Sequence, residues 1–182
     1  MANKILELYY ENDAEYIIYE DIIVPPTIEI FVCDHTYKKI VLPDELRVID
    51  LHYPDAIPVD FNIPSHIQYM KFENISIVNK SLMELFPEYV YYYYKDCSLN
   101  GRPIVDQVRE LYQKYFNAPC LKGNIINHRN NKQIIDHIRK YEENTKEAKI
   151  RSNILKEELL EIALHPTRVA KWFAAGFHPR NM

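Results

Sequence analysis

The sequence predicts an α/β protein in which a short parallel sheet in residues 1–100 is followed by a helical region in residues 101–182. Two observations carry this prediction. An apolar residue followed by proline recurs four times in the first half, each time ahead of residues that favour strands. After Gly101 the apolar residues recur at helical spacing instead. We expect the helical region to pack on the sheet or to cap it.

The four copies of the apolar-proline pattern are spaced almost regularly. Each has two variable residues after the proline and then an aliphatic residue, and successive copies start 18, 21 and 23 residues apart. A step of about 20 residues accommodates one strand and one return segment. The strands are therefore predicted to pair in parallel, with the returning segments covering one face of the sheet. The copies are residues 24–32 (VPPTIEIFV), 42–50 (LPDELRVID), 63–71 (IPSHIQYMK) and 86–94 (FPEYVYYYY).

The proline of each copy is predicted to stand at the entrance of a strand. Proline fixes φ near an extended value, and a missing N–H ahead of the paired stretch costs no ladder hydrogen bond. Stacked copies would then form apolar ladders through the core. In the two central copies, Ile67, Tyr69 or Met70, and Phe72 are predicted to align with Leu46, Val48 or Ile49, and Leu51.

The two central copies, LPDELRVIDL and IPSHIQYMKF, resemble the FNIP repeat. This repeat is a relative of the leucine-rich repeat that is abundant in slime moulds and in giant viruses of amoebae. The four letters occur literally at residues 61–64. The resemblance implies a leucine-rich-repeat-like parallel sheet from about residue 24 to 95, with the first and last copies departing from the pattern.

The end of the chain resembles a short C-terminal module of large DNA viruses, the mimivirus group especially. That module has Glu-Glu-Leu, then His-Pro-x-Arg, then an aromatic residue and glycine. Together with the FNIP-like copies, it implies a giant-virus protein located in the host cytoplasm, in the viral factory, or in the virion. The matching positions are Glu157, Glu158, Leu159, His165, Pro166, Arg168, Trp172 and Gly176.

The second half is predicted to be mainly helical. Apolar spacing indicates one helix of about 13 residues that ends near Asn117, with Pro103 in its first turn, and a second helix over residues 132–146. A short strand is expected at residues 124–126. The charged stretch 141–156 is either a solvated helix or a link to a terminal helix that begins at Ser152. His165-Pro166 is expected to break that last helix.

Charge divides unevenly between the two halves. Residues 1–100 carry 7 basic and 17 acidic side chains, whereas residues 101–182 carry 15 and 9. This asymmetry lets the halves dock on each other, or lets the basic half attract a polyanion. The candidate nucleic-acid-binding residues of the basic half are Arg129, Lys132, Arg139 and Lys140.

Composition argues against several kinds of site. The three glycines are too far apart to form a phosphate-binding loop, so no nucleotide cofactor is expected. The three cysteines form no Cys-x-x-Cys pair, which is typical of reduced cytosolic thiols. The first residues lack a basic segment followed by an apolar run, and no apolar stretch is long enough to span a membrane. We therefore expect neither secretion nor membrane insertion.

Two local clusters invite a chemical interpretation. Cys33 and His35 would share one face of a strand, but a metal ion would need further ligands such as His52 or Cys97, and no metal is expected. The tyrosine run 89–94 would stack nucleobases if it were exposed. Alternate tyrosines of a strand must face two sides, so a structural role is favoured.

The sequence therefore predicts a non-catalytic module that binds a protein partner and carries no cofactor. The alternative is a virion structural or genome-packaging component whose basic half meets nucleic acid or a capsid protein. For His165 and Arg168, an internal brace is weighed against partner recognition. The candidate partner-binding residues are His66, Gln68, Lys71, His165, Arg168 and Trp172.

Overall fold

The chain coils through about four turns, and each turn adds one strand to each of two parallel sheets. The computed structural model describes residues 4–10, 16–116 and 123–164. In the first sheet, parallel strands run from β1 to β9 and antiparallel β12 follows. These strands are β1 (Ile5–Leu8), β3 (Ile30–Cys33), β5 (Val48–His52), β7 (Tyr69–Glu73), β9 (Tyr91–Lys95) and β12 (Ile125–Asn127).

The returning segments form a second sheet, which corrects the prediction that they merely cover the first. Sequences such as TYKKIV and PVDF are rich in strand-forming residues, and their alternation places Ile40, Val59 and Phe61 in the core between the sheets. The strands are β2 (Ile18–Ile23), β4 (Thr36–Val41), β6 (Pro58–Phe61), β8 (Ser76–Ile77), β10 (Ser98–Leu99) and antiparallel β11 (Arg102–Pro103).

The predicted register of the central copies is confirmed. Val48 pairs with Tyr69 and Leu51 with Phe72, so the strands stack as predicted. Of the two alternatives left open at the middle position, Ile49 and Met70 face the core, and both are about 1% exposed. The neighbouring Val48 and Tyr69 therefore point out of the sheet.

The prolines lie in the turns that lead into the strands, four or five residues before the first strand residue, so their missing N–H precedes the paired stretch as predicted. The carbonyl oxygens of Pro25, Pro43 and Pro64 each accept a hydrogen bond from the N–H three residues later in the chain, at 3.1, 3.1 and 3.3 Å. The strand begins two residues after that donor. In the first copy Pro26 stands at the second position of this turn, which the fixed φ of proline suits. In the fourth copy the strand follows Val90 directly, one residue earlier than in the others.

Asparagine side chains bracket the preceding turn at one corner of the coil. Asn62 donates from Nδ2 to the carbonyl oxygen of Leu42 at 2.9 Å and accepts the N–H of Leu42 at Oδ1 at 2.7 Å. Two turns later, Asn100 accepts from the N–H of Asn79 and donates to the carbonyl oxygen of Lys80. These bonds satisfy backbone groups that the bend leaves outside the strand ladders.

Aromatic rings join the two sheets inside the coil. The ring of Phe72 lies 5.3 Å from that of Phe61 and 5.5 Å from that of Tyr94. Phe86, which follows the short 3₁₀ helix Met83–Leu85, meets Tyr94 edge to face at 5.5 Å. Contacts of this kind add to the burial of apolar area that stabilises the coil.

Two helices follow the coil. The first, α1 (Ile104–Phe116), has the predicted 13 residues, and Pro103 lies just before it in β11. The second, α2 (His128–Leu164), begins four residues earlier than predicted. The side chain of Asn127 accepts the N–H of Asn130 at 2.8 Å and so caps the helix at this earlier start.

The charged stretch 141–156 is a solvated helix, because α2 runs without a break through Ser152.

The chain forms two compact units, Met1–Ile138 and Arg139–Met182. In the first unit, α1 and the opening turns of α2 contribute Val108, Ile135 and Ile138 to the core. In the second unit, the helix from Arg139 exposes most of its described side chains. The predicted break at His165-Pro166 lies outside the described residues.

Candidate protein-binding surface

The outward side chains of the first sheet form a continuous surface that we call the outer face. One ladder across it consists of aliphatic and aromatic side chains only, and two of its tyrosines, Tyr69 and Tyr91, are 37% and 60% exposed. The pleat alternation that buries Met70 and Tyr92 sends their neighbours outward. The members of this ladder are Ile5, Ile30, Val48, Tyr69 and Tyr91.

A second ladder beside the first mixes charge with an aromatic ring. Asp50, Lys71 and Tyr93 are register partners on β5, β7 and β9, and all three are half-buried. The Nζ of Lys71 lies 5.9 Å from the centroid of the Tyr93 ring, within the range of a cation–π contact. Burial raises the pKa of the Asp50 carboxyl, and the charge of Lys71 opposes that rise. The outer face thus combines apolar area with polar groups that could orient a bound molecule.

The three predicted partner-binding residues within the described chain lie in or just before β7. Lys71 belongs to the outer face, and the exposed Gln68 comes immediately before the strand. His66 lies in the proline turn, where its Nδ1 is 3.1 Å from the carbonyl oxygen of Asp44 and 3.7 Å from the Glu45 carboxylate. His66 therefore also links two successive turns. His165, Arg168 and Trp172 lie outside the described residues.

The predicted nucleic-acid-binding residues are distributed over the two units. Arg129 and Lys132 are exposed in the first unit, and Lys132 forms an ion pair with Asp136 at 2.6 Å. In the second unit Lys140 is exposed and Arg139 is half-buried. The carboxylate of Asp136 offsets part of the positive charge that a phosphate would meet.

In the cluster at Cys33, the thiol is buried and hydrogen-bonded to the backbone of His35. The Cys33 thiol donates to the carbonyl oxygen of His35 at 3.3 Å, and burial raises the pKa of this thiol to about 12. Burial likewise raises the pKa of the Cys97 thiol to about 12. Among the described residues, no three histidine, cysteine or acidic side chains lie close enough together to hold a metal ion.

Tyr69 and Tyr91 were not among the partner-binding residues predicted from the sequence, although alternate tyrosines of the run 89–94 were expected to face two sides. In the run 89–94, Tyr92 and Tyr94 are buried, whereas Tyr91 and Tyr93 point outward, so the run serves the core and the surface at once. Tyr91 also contacts His128, the first residue of α2, with ring centroids 4.4 Å apart. The surface becomes visible only when Tyr91 is aligned with Tyr69 and Val48 in the strand register.

No helix in the described part of the chain is both long enough and apolar enough to cross a membrane. Comparison of the chain with protein-family models, with curated proteins and with solved structures found no match.

Proposed function

We propose that the protein is a non-catalytic interaction module that holds a protein partner on its outer face. The observation that supports this most is the ladder of aliphatic and tyrosine side chains running across five strands without a charged member. Tyrosine contributes large contact area at low cost in side-chain entropy, and it is enriched among residues that dominate binding energy. A rigid coil presents these groups without reorganisation, which favours affinity.

Polar groups beside the ladder suit a protein partner. Lys71 and Asp50 supply opposite charges at the centre of the face, and His66 and Gln68 stand at its margin. Interfaces commonly pair an apolar centre with a polar rim that fixes orientation. The single side chain expected to matter most is that of Tyr69, because it lies between Val48 and Tyr91 in the ladder.

We further propose that the coil is of the FNIP type and that the protein belongs to a giant DNA virus. The letters FNIP at residues 61–64 and the turn spacing support the repeat type, since Asn62 brackets the preceding turn there. The tail motif from Glu157 to Gly176 supports the viral origin. On this proposal the protein works in the host cytoplasm, at the viral factory, or in the virion.

A photo-crosslinking amino acid tests the proposed surface directly. Placed at Tyr69 during infection of amoeba cells, it is expected to give a discrete crosslink to another protein. Placed at the exposed Lys149 on α2, it should give none. Equal crosslinking from both positions, or none from position 69 in a folded protein, would count against the proposal.

The alternative of a nucleic-acid-binding virion component draws on the exposed Arg129 and Lys140. Phosphate contacts weaken steeply as salt rises, so such binding should fall sharply between low and high salt. Charge removal at these two positions should reduce the salt dependence. If the protein does not bind DNA or RNA even at low salt, the nucleic-acid alternative is contradicted and the protein-binding proposal remains.

A further inference from the structure

The strand β2 is the last strand of the second sheet. Within the described part of the chain it pairs with β4 only, from Ile18 opposite Thr36 to Ile23 opposite Val41. A parallel strand uses alternate backbone groups for one neighbour, so the other N–H and C=O groups of an edge strand point away from the sheet. Six residues are long enough to pair with a further strand.

The two ends of the coil are built differently. At the other end, the last parallel strand of each sheet is followed by a short antiparallel strand, β12 of three residues or β11 of two. Short edge strands are a common way to prevent further pairing. At the β2 end, the outermost strand is parallel and three times as long as β11.

The side chains of β2 combine apolar and acidic groups. Ile18 and Ile23 are 41% and 72% exposed, and they flank the pair Glu20 and Asp21. Exposed aliphatic side chains on a free edge favour strand addition, whereas the acidic pair selects what is added. Glu20 forms an ion pair with Lys38 at 3.0 Å, and Asp21 lies opposite Lys39 in the register of β2 and β4, so each carboxylate has a lysine of β4 on one side and stays exposed to a further cation on the other.

A second copy of this chain is a poor occupant of the edge. Two-fold antiparallel pairing of two β2 strands centred on either acidic residue would place Glu20 opposite Glu20, or Asp21 opposite Asp21, of the other copy, and like charges directly opposite each other destabilise a sheet. A basic strand avoids this cost.

We propose that the free edge of β2 binds an extended basic segment of another protein by strand addition. The segment carries lysine or arginine opposite Glu20 and Asp21, and apolar side chains opposite Ile18 and Ile23. Backbone hydrogen bonds to the edge contribute affinity, while the two acidic side chains contribute specificity. This edge belongs to the second sheet, so the inference stands independently of the outer face of the first.

Fluorescence anisotropy of the full chain with labelled ten-residue peptides tests the inference. The probe alternates valine and threonine around a central Lys-Lys pair, and the matched peptide has Glu-Glu instead. The Lys-Lys peptide is expected to bind, and the Glu-Glu peptide to bind about tenfold or more weakly, since two attractive cross-strand pairs become repulsive. A Lys-Lys peptide with N-methylated backbone should lose binding, because it cannot complete the ladder.

Variants of the chain locate the site. The double change Glu20→Gln and Asp21→Asn should weaken Lys-Lys binding about threefold to tenfold. The matched change Glu157→Gln and Glu158→Gln, on exposed positions of α2, should leave it unchanged. Circular dichroism of each variant establishes that it is folded. Full binding of the N-methylated peptide, equal binding of the Lys-Lys and Glu-Glu peptides, or no binding of the Lys-Lys peptide would overturn the inference.

Discussion

Asn62 illustrates how a single polar side chain holds neighbouring turns together. Its amide accepts one hydrogen bond from the backbone of Leu42 and donates one to it, and Leu42 is itself buried. A backbone N–H and C=O at a bend have no strand partner, so a side chain must supply one or leave them unsatisfied. The asparagine of the FNIP letters therefore has a structural role, which is to satisfy the backbone groups of Leu42.

Replacing Asn62 by alanine is expected to reduce the free energy of unfolding by about 1–2 kcal/mol, because two backbone groups of Leu42 lose their partner. Urea denaturation followed by circular dichroism measures the change. Ser65→Ala, in the exposed part of the same repeat, is the control and should change stability by less than about 0.5 kcal/mol. Equal effects of the two substitutions would contradict the role given to Asn62.

The thiols of Cys33 and Cys97 are expected to be unreactive in the folded protein. Burial raises the pKa of each to about 12, so little thiolate exists near neutral pH. In a Cys120→Ser variant at pH 8, an aromatic disulfide reagent should react with two thiols only as fast as the chain unfolds. Rapid reaction of either thiol before any loss of circular dichroism signal would disagree with this burial.

Stability should fall in alkaline solution. Burial raises the pKa of Tyr53 and of Tyr94 above the ordinary value of 10.0, and that of the two buried thiols above 9.0. The unfolded chain loses these protons first, so their contribution is present below about pH 9 and is lost as pH rises further. Between its unfolded and its folded pKa, each of these tyrosines lowers the free energy of unfolding by about 1.4 kcal/mol per pH unit.

Denaturation at a series of pH values from 7 to 11 measures this loss. Tyr94→Phe should make the decline above pH 10 shallower, because one raised pKa is removed. Tyr89→Phe is the matched control, since Tyr89 is 93% exposed. An identical slope in wild type and Tyr94→Phe would show that this hydroxyl titrates alike in the folded and unfolded chain.

Strand β1 precedes the first copy and was not predicted, but the repeat pattern predicted β3, β5, β7 and β9 of the first sheet and the register of the two central copies. It did so because the aliphatic residues of each copy recur at fixed offsets from a proline, as Leu46 and Ile67 do. The second sheet was missed. Strands β8 and β10 have only two residues each, and β4 contains Lys38 and Lys39, so the apolar-proline pattern did not identify them.

The surfaces were harder to predict than the elements. Lys71 was identified from its place in the repeat, but the exposed tyrosines of the outer face emerge only when four strands are aligned. The exact start of α2 depended on one capping side chain, Asn127, rather than on apolar spacing. Local chemistry of this kind is ambiguous in a sequence because asparagine also suits turns and loops.

Amide hydrogen exchange should distinguish the elements by their packing. The strands β5 and β7 lie at the centre of the first sheet with buried alternate residues, so their amides should exchange slowest. The helix from Arg139 to Leu164 exposes most of its described side chains and should exchange much faster. Comparable protection of the two regions, measured by mass spectrometry, would argue against this difference.

The two sheets of one coil are proposed to carry two separate binding surfaces. The outer face of the first sheet offers an apolar and tyrosine-rich ladder, and the free edge of the second offers backbone groups beside acidic side chains. A rigid coil with short turns keeps both surfaces in place without a partner. The first of these roles is the central claim.

Affinity capture with mass spectrometry during infection tests that claim most directly. The double variant Tyr69→Ala and Tyr91→Ala is compared with wild type and with Ile150→Ala plus Ile154→Ala, which alters exposed apolar residues of α2. Wild type and the helix variant are expected to retain the same partner, and the tyrosine variant to lose it while keeping its melting temperature. Recovery of the same proteins by all three would contradict the proposed surface.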